Sequence, residues 1–234
     1  MRLTVLNDNR PGPGLRNKWG WSLFIETDEA NALFDADTSP SILCSNAEKL
    51  GVDLSTAAFA VLSHEHWDHY GGMACVAKAR PGLTVYVPPG LHLWAKDLPL
   101  KLVENRSGLN LSDRYALTPP LRAGPLFEHA LSVRVGSRII VVVGCSHPGV
   151  DRLALEAARA TGLRPILVIG GFHGPSPDQL DRLARISDYI APAHCSGEEA
   201  YRYVESKYPE KLVAVRTGSV LEISERGRIR LLRP

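Results

Sequence analysis

The chain has 234 residues, a formal net charge of +2 and four cysteines. Its Lys and Arg are scattered rather than gathered into a basic stripe, and no apolar run approaches the roughly 18 residues that span a membrane, which excludes nucleic acid and membrane partners and leaves a small-molecule substrate. The length suits one domain over 1–234 that needs no disulfide staple; Cys44, Cys75, Cys145 and Cys195 lack paired spacing and no apolar leader precedes them, which predicts reduced thiols in a cytoplasmic setting.

Apolar runs at 2–6, 21–26 and 31–35 predict short strands. Between the first two, 9–20 is polar, contains Pro11-Gly12-Pro13-Gly14 and then Arg16, Lys18 and Trp19, and reads either as a lid over a pocket or as a decorated surface loop. Leu33-Phe34-Asp35-Ala36-Asp37 ends a strand in two acids, and Ser39-Pro40 supplies the N-cap and first residue of a helix that Gly51 stops. The strand at 58–62 then runs into Ser63-His64-Glu65-His66-Trp67-Asp68-His69-Tyr70-Gly71-Gly72. Three histidines and an aspartate, spaced His-x-His-x-Asp-His directly after a strand, call for a metal. A helix over 70–80 leads away, and Trp67 is expected either to line the cleft mouth or to pack beneath the loop.

Segment 81–137 is Pro-rich. It predicts one strand at 83–87 and is otherwise irregular, as the wall of a pocket would be; Lys101, Arg106 and Ser107 there either hold a phosphate or form a solvated basic face. A strand, ligand loop and helix then recur three times. Arg138–Val143 leads into Gly144-Cys145-Ser146-His147-Pro148-Gly149 and a helix with Leu153, Ala154 and Ala157 on one face and Gly162 as its stop. The run at 165–169 leads into Gly170-Gly171-Phe172-His173 and a helix opened by Ser176-Pro177. The run at 188–193 leads into His194-Cys195-Ser196-Gly197, where Ser196 and Glu199 have capping-box spacing. Every one of these strands ends in histidine. Strands sharing one sheet direction bring their C-terminal ends to one edge, so the loops are expected to converge on one cleft. Pro148 biases His147 away from the α region, and Cys145 and Cys195 are expected to pack as small apolar groups.

Together these motifs resemble the metallo-β-lactamase fold superfamily. Asp8-Asn9, Gly144-Cys145-Ser146-His147-Pro148-Gly149, Gly170-Gly171-Phe172-His173 and Pro192-Ala193-His194-Cys195 resemble more narrowly the branch named for a methanopterin-precursor synthase, which joins a dihydropterin to a ribofuranosyl-aminobenzene phosphate. The resemblance implies an α/β chain folded as a four-layer αββα sandwich with metals at one edge between the sheets. It implies His64, His66 and His147 on one metal and Asp68, His69 and His194 on a second. The superfamily usually adds a bridging aspartate after the next strand, but Gly170-Gly171 stands there, which implies one firm metal and a second, weaker one. His173 either replaces that ligand, faces substrate, or caps the next helix. Lys18-Trp19-Gly20 departs from the Glu-His-Gly often found in the branch.

Such ligands suit a divalent metal, zinc first, with iron or manganese as alternatives. The implied activity is a hydrolase or transferase on a small phosphorylated or pterin-like substrate, through a metal-activated water or a metal-polarised leaving group. Asp68 then serves metal and water proton together, and Asp35 orients a ligand imidazole. The competing expectations are an iron-dependent redox enzyme on the same fold and a non-catalytic, metal-stabilised binding module.

Overall fold

The computed structural model describes residues 1–233. The chain forms two compact units, the first from Met1–Glu104 with Arg216–Ile223 and the last strand, the second from Asn105–Val215 with Ser224–Arg228. The first unit begins with β1 (Arg2–Asn7), β2 (Ser22–Glu26), β3 (Asn31–Phe34), β4 (Ala57–Val61), β5 (Thr84–Val87) and β6 (Lys101–Glu104). The second holds β7 (Leu109–Asn110), β8 (Tyr115–Leu117), β9 (Leu121–Ala123), β10 (Leu126–Glu128), β11 (Leu131–Val135), β12 (Arg138–Val143), β13 (Arg164–Gly171) and β14 (Tyr189–Ala193). β15 (Val220–Ile223) and β16 (Ile229–Arg233) return to the first.

In the first unit the eight-stranded sheet has the order β16-β15-β1-β2-β3-β4-β5-β6, parallel from β3 to β6 and antiparallel elsewhere. Two helices, α1 (Pro40–Leu50) and α3 (Met73–Ala79), bury Leu43, Ala47, Met73 and Val76 against Leu33, Ala60, Leu62 and Val85. A four-residue turn of helix, α2 (Trp67–Tyr70), precedes α3. The predicted ends of α1 hold: Pro40 opens it, and Gly51, at φ 69°, closes it by donating to the carbonyls of Ala47 and Glu48. Packing of α1 on α3 also joins Cys44 to Cys75 in a disulfide, their Cα atoms 5.9 Å apart, which corrects the expectation that all four cysteines are reduced. A separation of 31 residues carries no local signature of such a pair.

In the second unit the sheet order is β14-β13-β12-β11-β8-β7, with β12, β13 and β14 parallel, and β9 and β10 form a separate ribbon. The helices α4 (Val150–Thr161), α5 (Pro177–Ile186) and α6 (Gly197–Lys207) bury Leu153, Ala157, Leu180, Leu183 and Val204 against Val141, Val168 and Ile190. Segment 81–137 is far more regular than expected, since β5 through β11 all lie in it. Runs of two to five residues between turns are too short to show a period.

Two details correct the sequence expectations. β12, β13 and β14 do share a direction and end in His147, His173 and His194, but β4, which ends at His64, belongs to the other sheet. Nor does Ser196 cap α6: its hydroxyl donates to the Ala193 carbonyl (2.6 Å) and accepts from the Phe172 N–H (3.0 Å), and a capping box forms instead at Ser176 and Gln179. No helix among the described residues is long and apolar enough to cross a membrane.

α5 and α6 are joined through Asp181, which accepts from Lys207 Nζ (2.7 and 2.9 Å), Tyr203 Oη (2.8 Å) and Tyr208 Oη (2.9 Å). Lys207 and Tyr203 hold its carboxyl at about 2, below the ordinary 3.8. A depressed carboxylate stabilises the fold above the unfolded-state value and loses that contribution as pH falls through the folded-state value. The gap in melting temperature between wild type and Asp181→Asn is therefore expected to be constant above about pH 5 and to close toward pH 2. A gap that stays unchanged down to pH 2 would refute the assignment.

Candidate metal centre

In the first unit the His-x-His-x-Asp-His loop leaves β4 and folds back on the residues after β3. Gly71 and Gly72 permit the approach: a Cβ on Gly72 would stand 2.0 Å from the Ala36 carbonyl oxygen, and one on Gly71 2.3 Å from that of Thr38. The backbones lock through Ala36 N–H to His69 O (2.6 Å) and Trp21 N–H to Asp68 O (3.2 Å). Asp35, fully buried and at φ 54°, is the hub. Its carboxylate accepts from the Ser63 N–H (2.7 Å), the Ser63 hydroxyl (2.8 Å) and His69 Nδ1 (2.7 Å). Burial pushes that carboxyl up, while His69 and then Ser63 pull it back down.

Because the Ser63 hydroxyl donates to Asp35, its oxygen accepts from His64 Nδ1 (2.9 Å), so His64 keeps an acceptor lone pair on Nε2. His64 Nε2 and His66 Nδ1 lie 3.1 Å apart. Two nitrogens about 2.0–2.1 Å from one tetrahedral zinc would stand roughly 3.3 Å apart, so this pair has the spacing of two ligands to one ion. His69 Nε2 lies 3.7 Å from Asp68 Oδ2, and Asp68 Oδ2 accepts from Trp19 Nε1 at 2.8 Å. Donor type and spacing fit a divalent metal, and His64, His66, Asp68 and His69 are the residues of this unit that could hold one.

Trp19 was not singled out as a partner of Asp68 by sequence. Its loop is tied down: Asn7 Nδ2 donates to the carbonyls of Lys18 (2.9 Å) and Gly20 (3.1 Å), and Asn46 bonds both the N–H (2.9 Å) and the carbonyl (2.8 Å) of Arg16. Glu65, inside the motif, accepts from the N–H groups of Leu91 (3.1 Å) and His92 (2.7 Å), holding another loop in place. Trp67 is 54% exposed, which fits a position at a rim and not one beneath the loop. Lys101 and Ser107 are exposed, as is Arg106, each within its own unit.

In the second unit the loops after β12, β13 and β14 carry His147, His173 and His194. The His147 and His173 rings have centroids 4.4 Å apart. Here the sequence reading missed the organising residue. Glu128, at the end of β10 and fully buried, accepts from the Ser146 N–H (2.6 Å), the His147 N–H (2.8 Å) and His147 Nδ1 (3.0 Å). It does for His147 what Asp35 does for His69, leaving Nε2 as the outward nitrogen. His173, at φ 51°, has its imidazole lowered below 6.5 by partial burial and then by His147.

Gly171, where the bridging aspartate was missed, has no room for a side chain. A Cβ there would stand 2.5 Å from the Gly144 carbonyl oxygen, 2.7 Å from Cys195 Sγ and 3.2 Å from His194 Cδ2. Gly171→Ala is expected to destabilise the protein by about 1–3 kcal/mol, because the nearest obstacle is backbone. Thermal unfolding checks this, and an unchanged midpoint would show that β13 can shift.

Comparison with known proteins bears on the family and the fold. The chain is 22% identical to a 7,8-dihydropterin-6-methyl-4-(beta-D-ribofuranosyl)-aminobenzene-5'-phosphate synthase from Methanocaldococcus jannaschii, over 87% of this chain and 89% of that protein. Among solved structures it resembles Tm1679, described as a metal-dependent hydrolase of the beta-lactamase superfamily, with TM-score 0.75 and 24% identity over 96% of this chain and 99% of that one. A diphosphatase of the PhnP family matches with TM-score 0.63 and 14% identity over 95% and 98%. These likenesses bear out the predicted metallo-β-lactamase fold. Residues 20–165, more than half of the chain, match the model of that family, and the chain belongs to the metallo-β-lactamase superfamily.

Proposed function

We propose that the chain works as one domain over 1–234, a metal-dependent hydrolase or transferase acting on a small substrate that carries a phosphate or a pterin-like heterocycle. His64, His66 and His147 hold the firm metal and Asp68, His69 and His194 the weaker one, with zinc as the first choice. The observation that carries this proposal is the pair of buried carboxylates, Asp35 and Glu128, each spent on the Nδ1 of a histidine in a ligand motif. Carboxylates buried so completely are costly unless paired, and orienting a metal-binding imidazole is a recurrent use for them. The name of the curated relative, with its dihydropterin and 5'-phosphate, supports the substrate class.

A bound divalent metal supplies hydroxide near neutral pH and polarises a carbonyl or phosphoryl oxygen. The chain's own groups do the rest. Asp68, steadied by Trp19, takes the proton that the attacking water gives up at its carboxylate. His173, its imidazole lowered by partial burial and then by His147, takes or returns a proton at a ring nitrogen on the substrate side. Asp35 is a positioning residue, acting through His69 and Ser63.

The test is elemental analysis of protein purified without a His tag or chelator, followed by a panel of phosphodiesters, esters, thioesters and the dihydropterin condensation. About one tightly held metal per chain, a second taken up on addition, and turnover that chelation abolishes are expected. A chain that takes up no metal under any condition would overturn the proposal.

A further inference from the structure

We propose that Cys145 and Cys195 bring sulfur to the metal on His194, filling the place of the missing bridging carboxylate. The inference rests on reading His194 as a ligand and goes beyond it by naming its neighbours. Cys145 follows β12 and Cys195 follows β14, and these strands flank β13, which ends at Gly171. The volume that an acid at 171 would use is taken by Cys195 Sγ and the His194 ring, at 2.7 and 3.2 Å from the position of a Cβ. One ligand nitrogen of His194 and the sulfurs of Cys145 and Cys195 all lie within 4.8 Å of one another. At zinc–sulfur and zinc–nitrogen lengths of about 2.3 and 2.0–2.1 Å, donors sharing one tetrahedral ion stand roughly 3.5–3.8 Å apart, so small side-chain rotations bring the three onto one ion.

Packing alone explains these cysteines less well. Cys145 is buried, but Cys195 is only partly so, and neither is in a disulfide. The turn that presents Cys195 is fixed from both sides: the Ser196 hydroxyl bonds the Ala193 carbonyl and the Phe172 N–H, and Gly171 N–H donates to the Gly144 carbonyl at 2.8 Å. A metal-bound thiolate is anionic like the absent carboxylate, and two of them leave the centre one unit more negative than a single bridging acid would. Sulfur donors also favour zinc, cobalt or iron over magnesium, calcium or manganese.

The probe is cobalt(II), added to metal-free protein with a non-thiol reductant present. A sulfur-to-cobalt charge-transfer band in the near ultraviolet is expected in the wild type, weaker in Cys145→Ser and in Cys195→Ser, and absent from the double variant. Circular dichroism melts show that the variants fold, and the Cys145→Ala and Cys195→Ala pair repeats the test without a hydroxyl. Cobalt uptake without the band, or a band unchanged in the double variant, overturns the sulfur site and leaves the metal centre standing. No cobalt uptake at all overturns both.

Discussion

His64→Ala is expected to lower turnover by about a thousand-fold or more, roughly 4 kcal/mol of transition-state stabilisation, and to abolish the tightly held metal. His64 is wholly buried and sits between two partners, with Nδ1 on the Ser63 hydroxyl and Nε2 beside His66 Nδ1. Alanine removes one of the two nitrogens of the first unit that are spaced for a single ion. It does not dismantle the scaffold, because the Ser63 hydroxyl still donates to Asp35, and Asp35 still holds His69. The loss of stability should stay near 1–3 kcal/mol, the range for a buried group removed from a site whose other hydrogen bonds survive. Metal content, kcat/KM and the melting temperature measured on one preparation separate these effects. Wild-type turnover in a folded, metal-poor variant would end the hydrolytic proposal; a variant that fails to fold would favour a metal-stabilised binding module.

Local signals in the sequence carried the first unit's candidate ligands and, of their distant supports, only Asp35. His64, His66, Asp68 and His69 lie within six positions, so their juxtaposition needs only a strand end and one turn. Asp35 was legible because an acid closing an apolar strand is conspicuous. Glu128 was not: it is 19 residues from His147, in a segment whose three-residue strands look irregular, and only the antiparallel return through β11 and β12 brings the two together. Trp19 and Asp68 are 49 residues apart, and Cys44 and Cys75 are 31 apart. The capping-box spacing at Ser196 and Glu199 misled for the opposite reason: the local pattern was real, but tertiary partners at Phe172 and Ala193 claimed the hydroxyl first.

Glu128 provides the sharpest test of the second unit, because two replacements make different demands on it. Glu128→Ala strips the acceptor from three donors, the N–H groups of Ser146 and His147 and the His147 ring N–H, all bound at 2.6–3.0 Å. Leaving a buried donor unpaired costs about 1–3 kcal/mol, so with three donors a loss of at least about 3 kcal/mol is expected, a large fraction of a marginal protein's stability. Glu128→Gln keeps the shape but turns one oxygen into an NH₂ group, which must face a donor, either at Ser146 or at His147. If the amide oxygen stays with His147, the ring keeps its tautomer and the cost falls on the loop; if it turns to Ser146, His147 is no longer held with Nε2 outward. In either case the motif loses a charge-assisted bond, and metal affinity should fall by about 10- to 100-fold. Comparing Glu128→Gln with His147→Ala in a metal-competition titration decides the role. An affinity equal to wild type in Glu128→Gln, with only the melting temperature lowered, would mean that Glu128 closes the loop after β12 and does not orient a ligand.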